Sequence, residues 1–164
     1  MDNLWRIVHV KSNCEKKAAI HLTARSIENY LPLVLQMAQW TDRTVMSSRP
    51  LFPGYIFVRT TLVQRLSVLT TPGVAENGLG EAIPQRELEQ IRTASDQGYK
   101  LEPQFGRVKG SRVRFRKGVF SGTEGIAVPC GDAVKVVVGL SGCEQLFSVE
   151  SDLDALDVVD QHVS

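Results

Sequence analysis

The sequence is poor in the features that mark enzymes, membrane proteins and extracellular scaffolds. Of 164 residues, three are cysteines, Cys14, Cys130 and Cys143. They are widely spaced, odd in number and form no Cys-x-x-Cys pair, which argues against a zinc site or a disulfide framework. A reducing, cytoplasmic setting is the simplest fit. The apolar runs fall well short of the ~20 residues needed to span a bilayer. Met1-Asp2 opens without the basic start and apolar stretch of a signal peptide. No P-loop, Gly-x-Ser-x-Gly, His-Glu-x-x-His or dinucleotide fingerprint is present. His9, His21 and His162 are far apart, and no carboxylate pair stands out. The one enzymatic arrangement on offer is Cys14, near a helix start, with His9 or His21. A buried or idle cysteine is the simpler reading. No enzyme, metal or cofactor is expected.

What is present describes a binding protein. Hydrophobic residues make up 43% and charged residues 23%, a globular composition whose length allows one domain or two small ones. The net charge of +1 conceals a polarised C-terminal part. Arg107, Lys109, Arg112, Arg114, Arg116 and Lys117 are crowded together, whereas acids dominate from Glu144 onward. Such a surface can meet anionic and cationic partners on different faces. A solvated strand followed by a solvated tail explains it equally well.

"LWRIVHV" alternates and reads as a first strand. "SNCEKKAAIHLTARSI" reads as a helix capped by Ser12 or Asn13, with Ala18, Ala19, Leu22 and Ser26 or Ile27 facing a sheet. Lys17 and His21 lie on a different, wet face, with Arg25 beyond them. "VLQMAQWTDRTVMSSRP" reads as a hairpin or long loop turning near Thr41–Asp42. "GYIFVRT" is a second strong strand. "LVQRLSVLTTPG" reads as a short helix or extended piece, "ENGLGEA" as a glycine-containing loop, and "PQRELEQIRTAS" as a helix with Leu88 and Ile91 inward. "DQGYKLEPQFGR" has no helical period and reads as a linker. From Lys109 the chain becomes short β pieces of the kind that close a small barrel. On its strand, Arg112, Arg114 and Arg116 share one side, and Val113 and Phe115 the other. Phe120 falls in the loop between Gly118 and Gly122. It is either an exposed partner anchor or a residue folded back over the barrel.

Three pieces, in order, resemble the NusG/RfaH family of transcription elongation factors. "WRIVHVKSNCEKKAAIHL" resembles the opening strand and helix of the family's N-terminal (NGN) domain. "RPLFPGYIFVR", Arg49 to Arg59, resembles its Phe-Pro-Gly-Tyr strand. "KGSRVRFRKGVFSGTEG" resembles the KOW motif opening its C-terminal barrel. "TPGV" and "AIPQRELEQIR" also fall in the expected order. The resemblance implies an α+β protein. An NGN domain at residues 1–97, an antiparallel sheet with helices, would be joined by a linker at 98–107 to an SH3-like KOW β-barrel at 108–160.

The resemblance also implies a mechanism without catalysis. An apolar depression would bind the RNA polymerase clamp, drawn from Trp5, Leu51, Phe52, Tyr55 and Phe57, with Pro72 and Val74 near its rim and Pro53-Gly54 turning the chain. Alternation sends Tyr55 and Phe57 to one face and Ile56 and Val58 to the other, so one pair is expected to dock and the other to be core. Gln64 and Arg65 would meet the opposite lobe of the polymerase. Lys11, Lys17, His21 and Arg25, with Trp40 and Arg43, would face the non-template DNA strand. Arg116, Val119 and Phe120 would meet a ribosomal protein or a termination factor. The expected protein is a monomer without membrane contact. Val119 stands where the KOW pattern has proline, and Thr123 where it often has leucine. "AENGLGE" lacks the aromatic, basic run that is common there. These departures favour a specialised paralogue. The β-branched "VKVVVGL" favours a resting barrel over a helical hairpin. The competing reading is a ribosome- or RNA-associated KOW protein.

Overall fold

The computed structural model describes residues 3–160. The chain divides into two compact units, Met1–Gln85 and Arg86–Ser164.

In the first unit, β1 (Leu4–Val10), β2 (Asn29–Tyr30), β5 (Tyr55–Thr60) and β6 (Val74–Ala82) form an antiparallel sheet in the order β2-β5-β1-β6. The register sets Ile7 against Phe57 and His9 against Tyr55. Helix α1 (Glu15–Ala24) and the short α2 (Arg65–Leu69) complete the unit's core. Val8, Val10, Ile56 and Val58 pack there with Ala18, Leu22, Ile27, Val68 and Val74. Ala19 is only partly buried, and the choice between Ser26 and Ile27 falls to Ile27. Ser26 instead has φ +59° and sits in the turn leaving the helix. The helix is not capped as expected: Cys14 is its N-cap and no side chain caps it, while Asn13 has φ +61°. A separate two-stranded ribbon, β3 (Leu33–Gln39) and β4 (Thr44–Pro50), turns at Trp40–Arg43.

The stretch expected as a glycine loop is strand β6. It pairs with β1 through an irregular register, and Asn77 there has φ +55°. A Cβ on Gly78 would lie 2.6 Å from the His9 carbonyl oxygen. The glycines thus mark a bulged strand pressed against its neighbour rather than a loop.

In the second unit, β7 (Leu101–Gln104), β8 (Ser111–Phe115), β9 (Glu124–Cys130), β10 (Ala133–Gly139), β11 (Leu146–Ser151) and β12 (Leu156–Asp160) form an antiparallel sheet in the order β12-β8-β9-β10-β11-β7. Phe115, Phe120, Val136, Phe147 and Val149 are among its buried residues. Helix α3 (Gln85–Asp96) falls with this unit apart from its first residue, although it was expected in the first domain. Glu87 Oε1 accepts hydrogen bonds from the Ser141 backbone N–H and hydroxyl, both at 3.1 Å. Ile91 shares a cavity with Phe120 and Phe147. Leu88 and Ile91 are buried, as the helical period requires. Part of the expected linker is ordered: Leu101 to Gln104 pair with Val149 to Leu146. Backbone groups of that stretch are satisfied by the edge of the sheet, which a sequence without periodicity does not reveal.

Candidate functional site

The "FPGY" segment is a tight turn. Tyr55 N–H donates to the Phe52 carbonyl at 3.0 Å, and Gly54 has φ +87°, which any side chain would strain. Gly54 donates its own N–H to Glu15 Oε2 at 2.9 Å, and its carbonyl accepts from Val10 at 2.9 Å. The turn is thereby tied to the start of α1 and to the end of β1.

The expected apolar depression is largely closed. Leu51 and Phe57 are 0% exposed, Phe52 1% and Trp5 7%. The Phe52 and Phe57 rings meet edge to face at 5.6 Å. The expectation that one face of β5 docks while the other is core is corrected for Phe57: Ile56, Phe57 and Val58 are all buried. Ile56 and Val58 pack with Ala18, Leu22 and Val68, and Phe57, on the opposite face, is packed against Phe52, so both faces of the strand are covered. Val74 likewise belongs to the core and not to a rim. Tyr55 and Pro53 are half-buried, the Tyr55 ring lying 4.8 Å from that of His9, and Pro72 is exposed.

The segment before Thr70 is more open. Gln64 closes a capping box with Thr61, its Oε1 accepting from the Thr61 N–H at 3.3 Å. Arg65 is exposed. Beside them stand Leu62, Val63 and Leu66, each about 70% exposed. Sequence reasoning passed over these three. The signal was their spacing within one turn of a helix too short to bury them.

Lys11 and Lys17 are exposed and make no ion pair among the described residues. His21 is half-buried on the same helix as Lys17. Arg25 is otherwise engaged. Its guanidinium donates to the Ser67 carbonyl at 2.7 Å and to the Thr70 hydroxyl at 2.9 Å, clamping α1 to α2. Arg25 is nonetheless exposed. At the ribbon tip, Trp40 is 58% exposed with the Arg43 guanidinium 5.9 Å from its ring centre.

In the second unit, Phe120 is 2% exposed. Its ring lies 5.6 Å from Phe115, 5.9 Å from Tyr99 and 6.1 Å from Phe147. The exposed-anchor reading is therefore corrected: the loop folds back and Phe120 is core. Val119 is half-buried and Arg116 exposed. The arginine stripe is paired off. Glu124 lies 3.1 Å from Arg112 and 3.5 Å from Arg114, while Asp157 lies 3.7 Å from Arg116. Lys117 meets Asp154 at 3.5 Å.

Cys14 is half-buried, and His162 lies outside the described residues. No helix among the described residues is long and apolar enough to cross a membrane.

Among solved structures, the chain is similar to NusG of Thermotoga maritima, from a study of its domain interaction. Identity is 22%, coverage 96% of this chain and 97% of that one, and the TM-score 0.56, a likeness of fold. A second match is the MjSpt4:Spt5 complex in conformation A, at 15% identity, 97% and 100% coverage and a TM-score of 0.32. No curated protein matches. The family model described as transcription termination factor NusG matches residues 3–92, more than half of the chain. That match rests on the stretch holding β1, α1, the Phe-Pro-Gly-Tyr turn and β6, and by it the chain belongs to the NusG family of transcription factors.

Proposed function

We propose that the protein is an elongation and antitermination factor of the specialised NusG type, acting by binding and not by catalysis. The observation that carries this is the Phe52–Tyr55 turn, fixed to α1 through Gly54 and Glu15 inside the segment that matches the family. A rigid turn offering Pro53 and Tyr55, with Pro72 exposed, suits docking on an apolar helical surface such as the polymerase clamp coiled coil. Trp5, Leu51, Phe52 and Phe57 then support that edge from within. Leu62, Val63 and Leu66, beside Gln64 and Arg65, offer the apolar contact that a second polymerase lobe requires. Two contacts on opposite sides of the DNA cleft would hold the clamp closed and suppress pausing. Lys11, Lys17 and His21, with Trp40 and Arg43, would attract and stack on the non-template strand.

The domains proposed are an NGN domain at 1–97, a linker at 98–107 and a KOW domain at 108–160. The family match, which runs through much of α3, supports counting that helix with the NGN domain by descent. Arg116 and Val119 would be the accessible part of the KOW surface for a ribosomal protein or termination factor. A cytoplasmic monomer is the form proposed. The arginine stripe is a weaker carrier for the RNA-associated reading, because Glu124 and Asp157 offset two of its three charges.

The test is capture of core RNA polymerase by the full chain. Tyr55→Ala and Leu66→Asp should each weaken capture at least tenfold while leaving the fold intact. A wild-type chain that captures no polymerase would sink the proposal.

A further inference from the structure

With the arginine stripe engaged by Glu124 and Asp157, two cations without a partner among the described residues lie just upstream of it. Arg107 and Lys109 are exposed and make no side-chain hydrogen bond or ion pair among the described residues. They flank Val108 in an irregular segment that leaves β7 through Gly106, whose φ is +76°. Just before that turn stands Phe105, 66% exposed, a large ring held in water. Residues 106–109 form one wall of a crevice of about 610 Å³. Its floor is formed by β9 to β11, where the half-buried Ile126 and Leu146 and the buried Val137 are apolar and Leu146 lies against Gly139. The acid in this crevice is Glu124, and both of its carboxylate oxygens are taken, by Arg112 and Arg114.

This combination has a definite chemistry. Unneutralised cations on a rim attract phosphate. An exposed aromatic ring and an apolar floor offer faces on which bases can stack, and only unpaired bases can use them. A duplex or an acidic peptide would use the charge and leave Phe105 idle. We infer that the crevice walled by residues 106–109 binds single-stranded polynucleotide, Phe105, next to that wall in sequence, stacking on a base while Arg107 and Lys109 hold the adjoining phosphates. This site is separate from the residues proposed for polymerase and for the non-template strand, and it does not depend on them.

The experiment uses the full chain and short labelled single strands of mixed sequence, RNA and DNA, followed by fluorescence anisotropy over a salt series. Phe105→Ala should weaken binding about 5- to 100-fold, and Phe105→Tyr should restore it. Replacing Arg107 and Lys109 by alanine should lower the slope of log affinity against log salt by about 1.4, two phosphates at ~0.7 each. Phe105 is exposed and in no regular element, so circular dichroism and polymerase capture should be unchanged. The RNA and DNA arms report which polynucleotide is preferred, and binding of either that falls with Phe105→Ala supports the site. Affinity and slope that ignore all three positions would overturn it. So would duplex DNA or polyglutamate displacing the labelled strand as well as unlabelled single strand does.

Discussion

The backbone N–H of Gly54 donates to the carboxylate of Glu15 at 2.9 Å, across 39 positions of sequence. Glu15 is 7% exposed, so this is a charge-assisted bond shielded from water. Removing the carboxylate with Glu15→Ala leaves a buried N–H without its partner and should cost about 1.5–3 kcal/mol. Gly54→Ala keeps the carboxylate but forces a side chain into left-handed backbone, at about 1–2 kcal/mol. Chemical denaturation of both variants checks the pair. Unchanged stability in Glu15→Ala would show that the bond contributes nothing.

Phe57 and Tyr55 lie on the same face of β5 and should now separate in behaviour. Phe57→Ala empties a fully buried site and should lose about 3–5 kcal/mol of stability. Tyr55, half-buried, should lose much less on truncation while losing polymerase capture. Equal thermal shifts for the two variants would contradict the division into support and contact.

Lys17 and Arg25 make a second contrast. If Lys17 meets single-stranded phosphate, Lys17→Ala should reduce the salt slope of DNA binding by about 0.7. Arg25→Ala should leave that slope alone and instead destabilise the α1–α2 clamp by about 1 kcal/mol, because its hydrogen bonds go to Ser67 and Thr70. Salt titrations together with urea melts read both effects. A slope change in Arg25→Ala would restore it to the DNA face.

Lys135 donates to Glu102 at 2.9 Å, and this bond, opposed by partial burial, holds the Lys135 pKa above its ordinary 10.5. The folded state therefore keeps a proton that the unfolded chain loses first. The stabilisation is complete below pH 10.5 and disappears as pH rises through the higher folded value. Both side chains are about a third or more exposed, so the pair should be worth under ~1 kcal/mol. Lys135→Met should cost that amount at neutral pH and little in strong alkali, as measured by melts over an alkaline pH series.

Periodic features were legible in the sequence. Ala18 and Leu22 lie four apart on α1, and Leu88 and Ile91 three apart on α3, so their burial followed from helical spacing alone. Alternation likewise located β1 and β5. Features set by the rest of the chain were hidden. The glycines of β6 resemble a loop until the His9 carbonyl is placed against Gly78. Phe57 has the pattern of a half-exposed strand residue, and it is core because Phe52, from the turn before the strand, packs against it. Phe120 sits among turn glycines, yet three rings close around it. The arginine stripe looked like a binding surface because its acids, Glu124 and Asp157, arrive from other strands.

Helix α3 gives the chain two different seams. Descent runs through it, since the family match ends at residue 92, while packing closes at Arg86. Fragments cut at these seams would not be equivalent. A barrel begun at residue 93 would lose Glu87, which accepts from Ser141, and Ile91, which helps enclose the cavity beside Phe120. A barrel begun at residue 86 keeps both. Limited proteolysis would thus favour the longer piece, and the unit that evolution copies need not be the unit that survives on its own.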